Sequence, residues 1–219
     1  APKPLIFVEG SIMLQRVIDN LRVEPLDWCI ITQQSRLSRW RVPLGQKSMI
    51  VLDEMTRGTA ETCLKVKSRI DSDRPLLIAN CDQILEWDHL AFYYFAQNTT
   101  LDAIIVTFDI KQHDPKYSYC MINPYGLVSM VIEKPAESTS STACTGVWFF
   151  RRGSDFVKHA EEMVAANDTT LGEFYISSVL DRMIKAGLKV GTFAVERFHS
   201  LGTPEDLEKY LGRNNVKQI

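Results

Sequence analysis

The sequence lacks a cysteine pattern that would indicate a disulfide framework or a metal site. The cysteines are odd in number and scattered, and no two stand in a Cys-x-x-Cys arrangement. Most lie within apolar stretches, which predicts reduced side chains in a core. The five are Cys29, Cys63, Cys81, Cys120 and Cys144.

An excess of charge of either sign is also lacking. The chain has 25 lysines and arginines against 27 aspartates and glutamates, a formal net charge of -2. Proteins that bind polyanions usually present a basic face. Nucleic acid is therefore not an expected partner.

Long apolar runs are absent as well. None reaches the roughly 20 residues that a membrane-spanning helix needs, and the first residues lack the basic-then-apolar pattern of a signal peptide. We expect a cytoplasmic protein with no membrane partner. The 219 residues contain no linker and no internal repeat, which predicts a single domain over residues 1–219.

Short apolar runs alternate with longer amphipathic patterns, which is typical of an α/β fold with a largely parallel sheet. The turn sequence Asn123-Pro124-Tyr125-Gly126 joins two of these runs and predicts a hairpin, so the sheet should be mixed. The predicted strands cover residues 28–33, 49–52, 75–79, 102–108, 117–122, 127–133, 145–151 and 190–196.

The predicted helices start near a small polar residue, and the two that start at Ser11 and Thr170 carry an apolar stripe on one face. The predicted helices begin at Ser11, Thr59, Asp88, Ser154, Thr170 and Thr203, and Gly187 ends the helix predicted over 170–186.

Three polar segments follow predicted strands, at the edge of an α/β sheet where ligands bind. Asn80-Cys81-Asp82-Gln83 offers a carboxylate for a divalent cation, or else a turn into a helix. Gly58-Thr59-Ala60 offers backbone N–H groups to an anion or a base, or else Thr59 is an N-cap. Glu133-Lys134-Pro135 offers two charges at a strand end, or else a solvated ion pair.

Taken in order, these segments and four others resemble the sugar-phosphate nucleotidyltransferase family, which makes nucleoside-diphosphate sugars from a nucleoside triphosphate and a sugar 1-phosphate. The resemblance implies a Rossmann-like three-layer sandwich with a mixed, mostly parallel sheet. The other segments are Pro2-Lys3-Pro4-Leu5-Ile6 with Val8 and Gly10, Thr145-Gly146-Val147-Trp148-Phe149-Phe150, Gly172-Glu173-Phe174-Tyr175 and Leu201-Gly202-Thr203-Pro204-Glu205-Asp206-Leu207.

On the nucleotide side, the resemblance implies that Lys3 neutralises the triphosphate and that Gly58, Thr59 and Ala60 face the base. Asp82 would hold Mg²⁺, with Gln83 nearby. The chemistry implied is attack of the acceptor's phosphate on the α-phosphorus, which depends on positioning and charge and needs no covalent nucleophile.

On the acceptor side, Glu133 and Lys134 would bind the acceptor, with the lysine at its phosphate. Gly146 would let the backbone approach the sugar, and Glu173 would accept hydrogen bonds from its hydroxyls. Glu173 also completes a capping box with Thr170, which is a structural alternative. The catalytic set implied is Lys3, Asp82 and Lys134.

The chain departs from the family in two places. Relatives have a strand and a glycine-rich loop with an arginine before Pro2-Lys3-Pro4, so we expect further residues before Ala1 and poor activity without them. Relatives often have a metal-binding aspartate where this chain has Ser200. Either Asp82, phosphates and water hold the metal, or the protein is catalytically weakened; His199 beside it is more typical of a packing residue.

Two other functions stay open. The same fold can host another phosphorylated acceptor such as phosphocholine, for which Trp87, Tyr117, Tyr119 and Trp148 would form a cage unless they are core residues. A non-catalytic nucleotide-sugar-binding relative would fit Ser200. The base, the sugar and the oligomeric state, including a homo-oligomer, are left open by the sequence.

Overall fold

The computed structural model describes residues 3–22, 28–34, 49–137 and 140–215. Pro2 of the first motif lies outside the described residues. The described strands are β1 (Phe7–Val8), β2 (Ser11–Ile12), β3 (Ile30–Gln33), β4 (Met49–Leu52), β5 (Leu76–Ala79), β6 (Gln83–Glu86), β7 (Ala103–Asp109), β8 (Tyr119–Ile122), β9 (Val128–Ile132), β10 (Thr142–Phe150), β11 (Val190–Ala194) and β12 (Arg197–Ser200).

Helices occupy most of the predicted positions between these strands. A 3-10 turn at Lys3–Leu5 comes first. The described α-helices are α1 (Met13–Leu21), α2 (Thr59–Leu64), α3 (Lys67–Ile70), α4 (His89–Asn98), α5 (Gly153–Ala165), α6 (Ile176–Lys185) and α7 (Pro204–Asn215).

The chain divides into two compact units. The first unit is Ala1–Met55, Asn80–His89 and Glu196–Ile219, and the second unit is Thr56–Ala79 and Leu90–Val195. Each is described by itself below. The single domain expected over residues 1–219 stays a prediction.

The second unit is built on a six-stranded mixed sheet in the order β11-β7-β10-β8-β9, with β5 also paired to β10. The mixed sheet is confirmed, and so is the hairpin through Asn123-Pro124-Tyr125-Gly126, which joins the antiparallel strands β8 and β9. The described ladders of this sheet are nevertheless mainly antiparallel: β11 runs parallel to β7, whereas β10 runs antiparallel to β5, β7 and β8. The reason is that β10 is central and opposite in direction to all its neighbours.

Two adjacent phenylalanines of β10 show that the second unit has three layers. Phe149 packs against Phe92 of α4, with ring centroids 6.2 Å apart, and Phe150 packs against Phe156 of α5 at 5.0 Å. Because successive side chains of a strand point to opposite faces, the sheet is covered on both sides. The main core lies on the α5 and α6 side and includes the fully buried Met163, Leu180 and Met183.

The first unit begins with a tight hairpin that corrects one predicted helix start. Ser11 pairs with Val8 in the ladder between β1 and β2, and α1 begins only at Met13, with no side-chain cap. The predicted N-cap at Ser11 is therefore wrong. The two turn residues, Glu9 and Gly10, both have positive φ, as a two-residue hairpin of the type I′ class requires.

The rest of the first unit consists of two short ladders and α7. Strands β3 and β4 are parallel, and β6 and β12 are antiparallel. Helix α7 starts as predicted, because Thr203 Oγ1 accepts a hydrogen bond of 3.1 Å from the N–H of Asp206. The small core of the first unit comprises Val8, Met13, Leu201 and Tyr210.

The prediction of one helix over residues 59–70 is wrong, and the prediction of reduced cysteines is confirmed. The helix expected over residues 59–70 is two short helices, α2 and α3, because the intervening Val66 N–H bonds three residues back to Cys63 O at 3.1 Å. All five cysteines are free, as predicted, and Cys120 and Cys144 are buried.

No helix among the described residues is both long and apolar enough to cross a membrane. The cytoplasmic location stays a prediction.

Candidate active site

Lys3 and Asp82, both in the first unit, form an ion pair. Lys3 Nζ lies 3.0 Å from Asp82 Oδ2, with 44% and 25% of the two side chains exposed. The residue after Asp82 begins strand β6, so the alternative of a turn leading into a helix is wrong. The Asp82 backbone is also fixed, because its carbonyl accepts a hydrogen bond of 2.8 Å from Leu201 N–H. The sequence-predicted cation and carboxylate are thus brought together.

A second carboxylate lies beside this pair. Ser200 Oγ donates to Asp206 Oδ2 at 2.8 Å and accepts from Gly202 N–H at 3.2 Å. A Cβ placed on Gly202 would lie 3.5 Å from Asp82 Oδ2 and 3.9 Å from Asp206 Oδ2. Both carboxylates therefore line the same small space next to Gly202.

Gln83, the residue after Asp82, is buried and hydrogen-bonded to the backbone of Asn80. It is 2% exposed, and its Nε2 donates a hydrogen bond of 2.9 Å to Asn80 O. Its Oε1 is buried and has no hydrogen-bond partner among the described residues. Gln83 therefore adjoins the predicted nucleotide site, but its own side chain is enclosed by protein.

The segment Gly58-Thr59-Ala60, in the second unit, is tied by its backbone to Phe174. Ala60 N–H donates to Phe174 O at 3.0 Å, so this N–H group is not available to a base. Gly58 is the N-cap residue of α2, and the alternative in which Thr59 is the cap is wrong. Gly58 has a φ of 127° and packs so closely that a Cβ would lie 2.5 Å from Phe174 O.

Glu133 is held by two serine hydroxyls rather than by solvent. Ser177 Oγ donates to its Oε2 at 2.5 Å, and Ser118 Oγ donates to the same oxygen. Both serines are buried. The alternative of a solvated ion pair is therefore wrong for Glu133, whose carboxylate is fixed at the end of β9.

Lys134 follows with a backbone φ of 44°. A non-glycine residue in this left-handed region costs about 1–2 kcal/mol, and such outliers cluster at functional sites. Lys134 Nζ donates a hydrogen bond of 3.0 Å to the Tyr175 hydroxyl and lies 4.6 Å from the centroid of the same ring. Burial lowers the pKa of Lys134, but the hydrogen bond to Tyr175 and the nearby carboxylates raise it, and the net direction is upward.

Glu173 lies next to the same tyrosine. Burial, and then a hydrogen bond to the Glu173 carboxylate, raise the pKa of Tyr175. The alternative in which Thr170 and Glu173 form a capping box is wrong, because α6 begins at Ile176. Instead Thr170 and Glu173 exchange two backbone hydrogen bonds of 3.0 Å around Leu171 and Gly172, which leaves the exposed Glu173 side chain for other partners.

Gly146 occupies an irregularity in the central strand. Its φ is 86°, and the ladder between β10 and β7 shifts register between Cys144 and Trp148. Thr145 Oγ1 donates to Val106 O at 2.9 Å across this interruption. A residue with a side chain would be strained at Gly146.

Several weaker candidates belong to the core or to structural contacts. His199 Nε2 lies 2.7 Å from Glu86 Oε1, and its ring packs on Tyr210, which confirms the packing interpretation. Tyr119 and Trp148 are buried, so they cannot line an aromatic cage.

Groups of three or more His, Cys, Asp or Glu suited to a metal are absent from the described part of the chain.

Sequence reasoning missed two residues that contact the predicted site: Asp206, which lies near Asp82, and Tyr175, which lies next to Lys134. Asp206 lies in a quoted motif but received no role in the site, although its third position in α7 typically directs the side chain back towards the residues before the helix. Tyr175 lies in a quoted motif but received no role. Its contact with Lys134 joins residues 41 positions apart, and no local pattern signals such a pair.

The chain is similar to other proteins along part of their length. It is 26% identical over 155 residues to the UTP–glucose-1-phosphate uridylyltransferase AglF of Haloferax volcanii, covering 70% of this chain and 61% of that protein. It is 26% identical over 208 residues to the bifunctional protein GlmU of Lactobacillus delbrueckii subsp. bulgaricus, covering 91% of this chain and 44% of that protein. The chain thus spans only about half to three fifths of these relatives.

The fold matches a solved structure closely. The nucleoside-diphosphate-sugar pyrophosphorylase of Vibrio cholerae RC9 superposes with a TM-score of 0.77 at 20% identity, covering 97% of this chain and 92% of that one. This likeness establishes the three-layer α/β fold expected from the sequence. The model of the nucleotidyl transferase family matches residues 1–211, nearly the whole chain, and the chain therefore belongs to this family.

Proposed function

We propose that this protein transfers a nucleotidyl group from a nucleoside triphosphate to a sugar 1-phosphate, forming an NDP-sugar and releasing pyrophosphate. The observation that carries the proposal is the ion pair between Lys3 and Asp82 in a chain that the family model covers from residue 1 to 211. The relative from Haloferax volcanii, named for uridylyl transfer to glucose 1-phosphate, supports a sugar 1-phosphate as the acceptor.

The reaction is an in-line displacement. An oxygen of the acceptor's phosphate forms a bond to the α-phosphorus of the triphosphate, the bond from that phosphorus to the bridging oxygen breaks, and pyrophosphate leaves with the electron pair. The protein's part is to position two anions and to offset their charge. Lys3 would neutralise the triphosphate, and Lys134 would hold the acceptor's phosphate as a compact positive charge.

The acidic side chains fit magnesium as the metal. Mg²⁺ prefers oxygen ligands and keeps several waters, so one or two carboxylates suffice. Asp82 would bind it, and the Asp206 carboxylate that Ser200 orients lies beside the same space. When bound, the ion would offset charge on the phosphate oxygens.

The second unit supplies the groups for the acceptor. Glu133 is fixed by two serines, Lys134 has a strained backbone, and Glu173 is exposed beside Tyr175. Gly146 would allow a sugar to approach the backbone, and Gly58 and Thr59 would face the base. A cage for phosphocholine has little support, because two of its four aromatic side chains are buried.

A panel assay tests the proposal. The whole protein is incubated with each nucleoside triphosphate, Mg²⁺ and a series of sugar 1-phosphates, and pyrophosphate release is measured. We expect release with at least one pair and formation of the matching NDP-sugar. Release with phosphocholine but with no sugar 1-phosphate would overturn the choice of acceptor. Absence of release with every pair, together with binding of an NDP-sugar, would favour the non-catalytic alternative.

A further inference from the structure

The Tyr175 hydroxyl lies between two residues predicted to bind the acceptor, and no part of the proposed reaction uses it directly. It accepts a hydrogen bond of 3.0 Å from Lys134 Nζ and interacts with the Glu173 carboxylate. We propose that Tyr175 is a positioning residue of the acceptor site, whose phenol holds the Lys134 ammonium where the acceptor's phosphate binds. The inference rests on the proposed function and adds a residue to it.

The backbone at both ends of this contact is fixed, which makes the tyrosine a defined support. Tyr175 is the N-cap residue of α6, and its carbonyl accepts a hydrogen bond of 3.3 Å from Val179 N–H. Lys134 has a left-handed backbone immediately before Pro135. A free lysine side chain has about 2 kcal/mol of rotamer entropy to lose when it is held. Contact with both the oxygen and the ring face of Tyr175 reduces this freedom before a ligand arrives.

The direction of the hydrogen bonds follows from the chemistry of the groups. An ammonium has three donors and no acceptor, so the phenol oxygen must accept from Lys134. The phenol proton is then directed to another acceptor, and the Glu173 carboxylate is the one that raises the pKa of Tyr175. Lys134 therefore keeps two N–H donors for phosphate oxygens, and Glu173 is linked to Lys134 through a single side chain.

A pair of conservative variants isolates the hydroxyl from the ring. Tyr175→Phe keeps the ring over Lys134 but removes the hydrogen bond. Because a hydrogen bond to a charged group is involved, we expect the KM for the acceptor to rise about tenfold, with the KM for the triphosphate within about twofold of the parent. Tyr125→Phe is the matched control, since Tyr125 is 89% exposed in the β8–β9 turn.

Two further measurements separate positioning from a general structural effect. If the hydroxyl acts through Lys134, Tyr175→Phe should add nothing to the acceptor KM in a Lys134→Met background. Titration of the lysine Cε resonances by NMR should show a lower pKa for Lys134 in Tyr175→Phe, because a contact that raises it is lost. The NMR readout requires no activity.

The outcomes are distinct. An unchanged acceptor KM in an active Tyr175→Phe enzyme, or full additivity with Lys134→Met, would overturn the positioning role while leaving the proposed function intact. A parent enzyme that releases no pyrophosphate with any acceptor would overturn the proposed function, and the acceptor role of Tyr175 with it. A Lys134 pKa that is the same in both proteins would contradict the hydrogen bond itself.

Discussion

Lys3 and Asp82 are 79 positions apart in the sequence, yet their side-chain charges lie 3.0 Å from each other in the first unit. The lysine belongs to the opening 3-10 turn, and the aspartate directly precedes β6. Neither side chain is fully buried, so the pair contributes little to stability by itself. In the proposed function, the pair serves a ligand that needs both a cation and a carboxylate.

Asp82→Asn should reduce kcat/KM at least about a hundredfold, as loss of one charge-stabilising group does at many active sites. The fold should persist, because the exposed ion pair adds little to the free energy of unfolding. Pyrophosphate release and a thermal melt measure the two effects. The control is Asp168→Asn, which removes a solvent-exposed carboxylate paired with Arg182. Activity of Asp82→Asn within threefold of the control would remove the role given to this carboxylate.

Ser200→Asp should strengthen the response to magnesium. A third carboxylate beside Asp82 and Asp206 adds repulsion without metal and an oxygen ligand with it, so the Mg²⁺ concentration for half-maximal activity should fall about tenfold. The rise in melting temperature on adding Mg²⁺ without substrate should also be larger than in the parent. Equal Mg²⁺ dependence in the two proteins, by both measures, would argue against a metal next to Ser200.

Gly58→Ala should lower the free energy of unfolding by about 2–5 kcal/mol, from backbone strain and a steric clash together. The φ of Gly58 is 127°, and a Cβ would meet backbone atoms of Phe174 at 2.5–2.9 Å. Urea denaturation measures the change. Gly212→Ala is the control, since it lies in α7 with open space around it and should gain about 0.5–1 kcal/mol. Equal stability of the two variants would contradict the close packing at Phe174.

Alkaline stability should depend on Tyr93. Burial raises the pKa of Tyr93 above its ordinary value of 10.0, so above pH 10 the unfolded chain loses this proton while the folded protein keeps it. The free energy of unfolding should therefore fall as the pH rises past 10, by at most about 1.4 kcal/mol per pH unit from this group.

The test compares Tyr93→Phe with Tyr94→Phe, its neighbour in α4, which is 72% exposed. Denaturation is followed between pH 8 and about pH 11, the range that spans the titration of an ordinary tyrosine. Tyr93→Phe should lose less stability over this range than Tyr94→Phe. Identical alkaline profiles for the two variants would show that Tyr93 does not titrate as its burial requires.

The two wrong helix starts have one cause, and it shows where local sequence reasoning is weakest. At Ser11 and at Thr170 a residue typical of N-caps precedes an amphipathic pattern, and the helix prediction followed that pattern. In both places a residue followed by glycine, Glu9-Gly10 or Leu171-Gly172, instead adopts positive φ and closes a two-residue turn. Each segment carried both an N-cap pattern and a turn pattern, and the turn formed because its flanking residues pair through the backbone.

The sequence by itself determined the α/β class, eight of the twelve described strands in their order, the β8–β9 hairpin and the polar segments that follow strands. These depend on apolar periodicity and on turn residues, which act over a few positions. Only the tertiary structure decided that Lys3 meets Asp82, that Ser200 orients Asp206 and that Tyr175 holds Lys134. The first and third pairs join residues 79 and 41 positions apart, and they form only once burial of the core has fixed the backbones that carry them. Ser200 and Asp206 are six positions apart, and their contact depends on the backbone between β12 and α7.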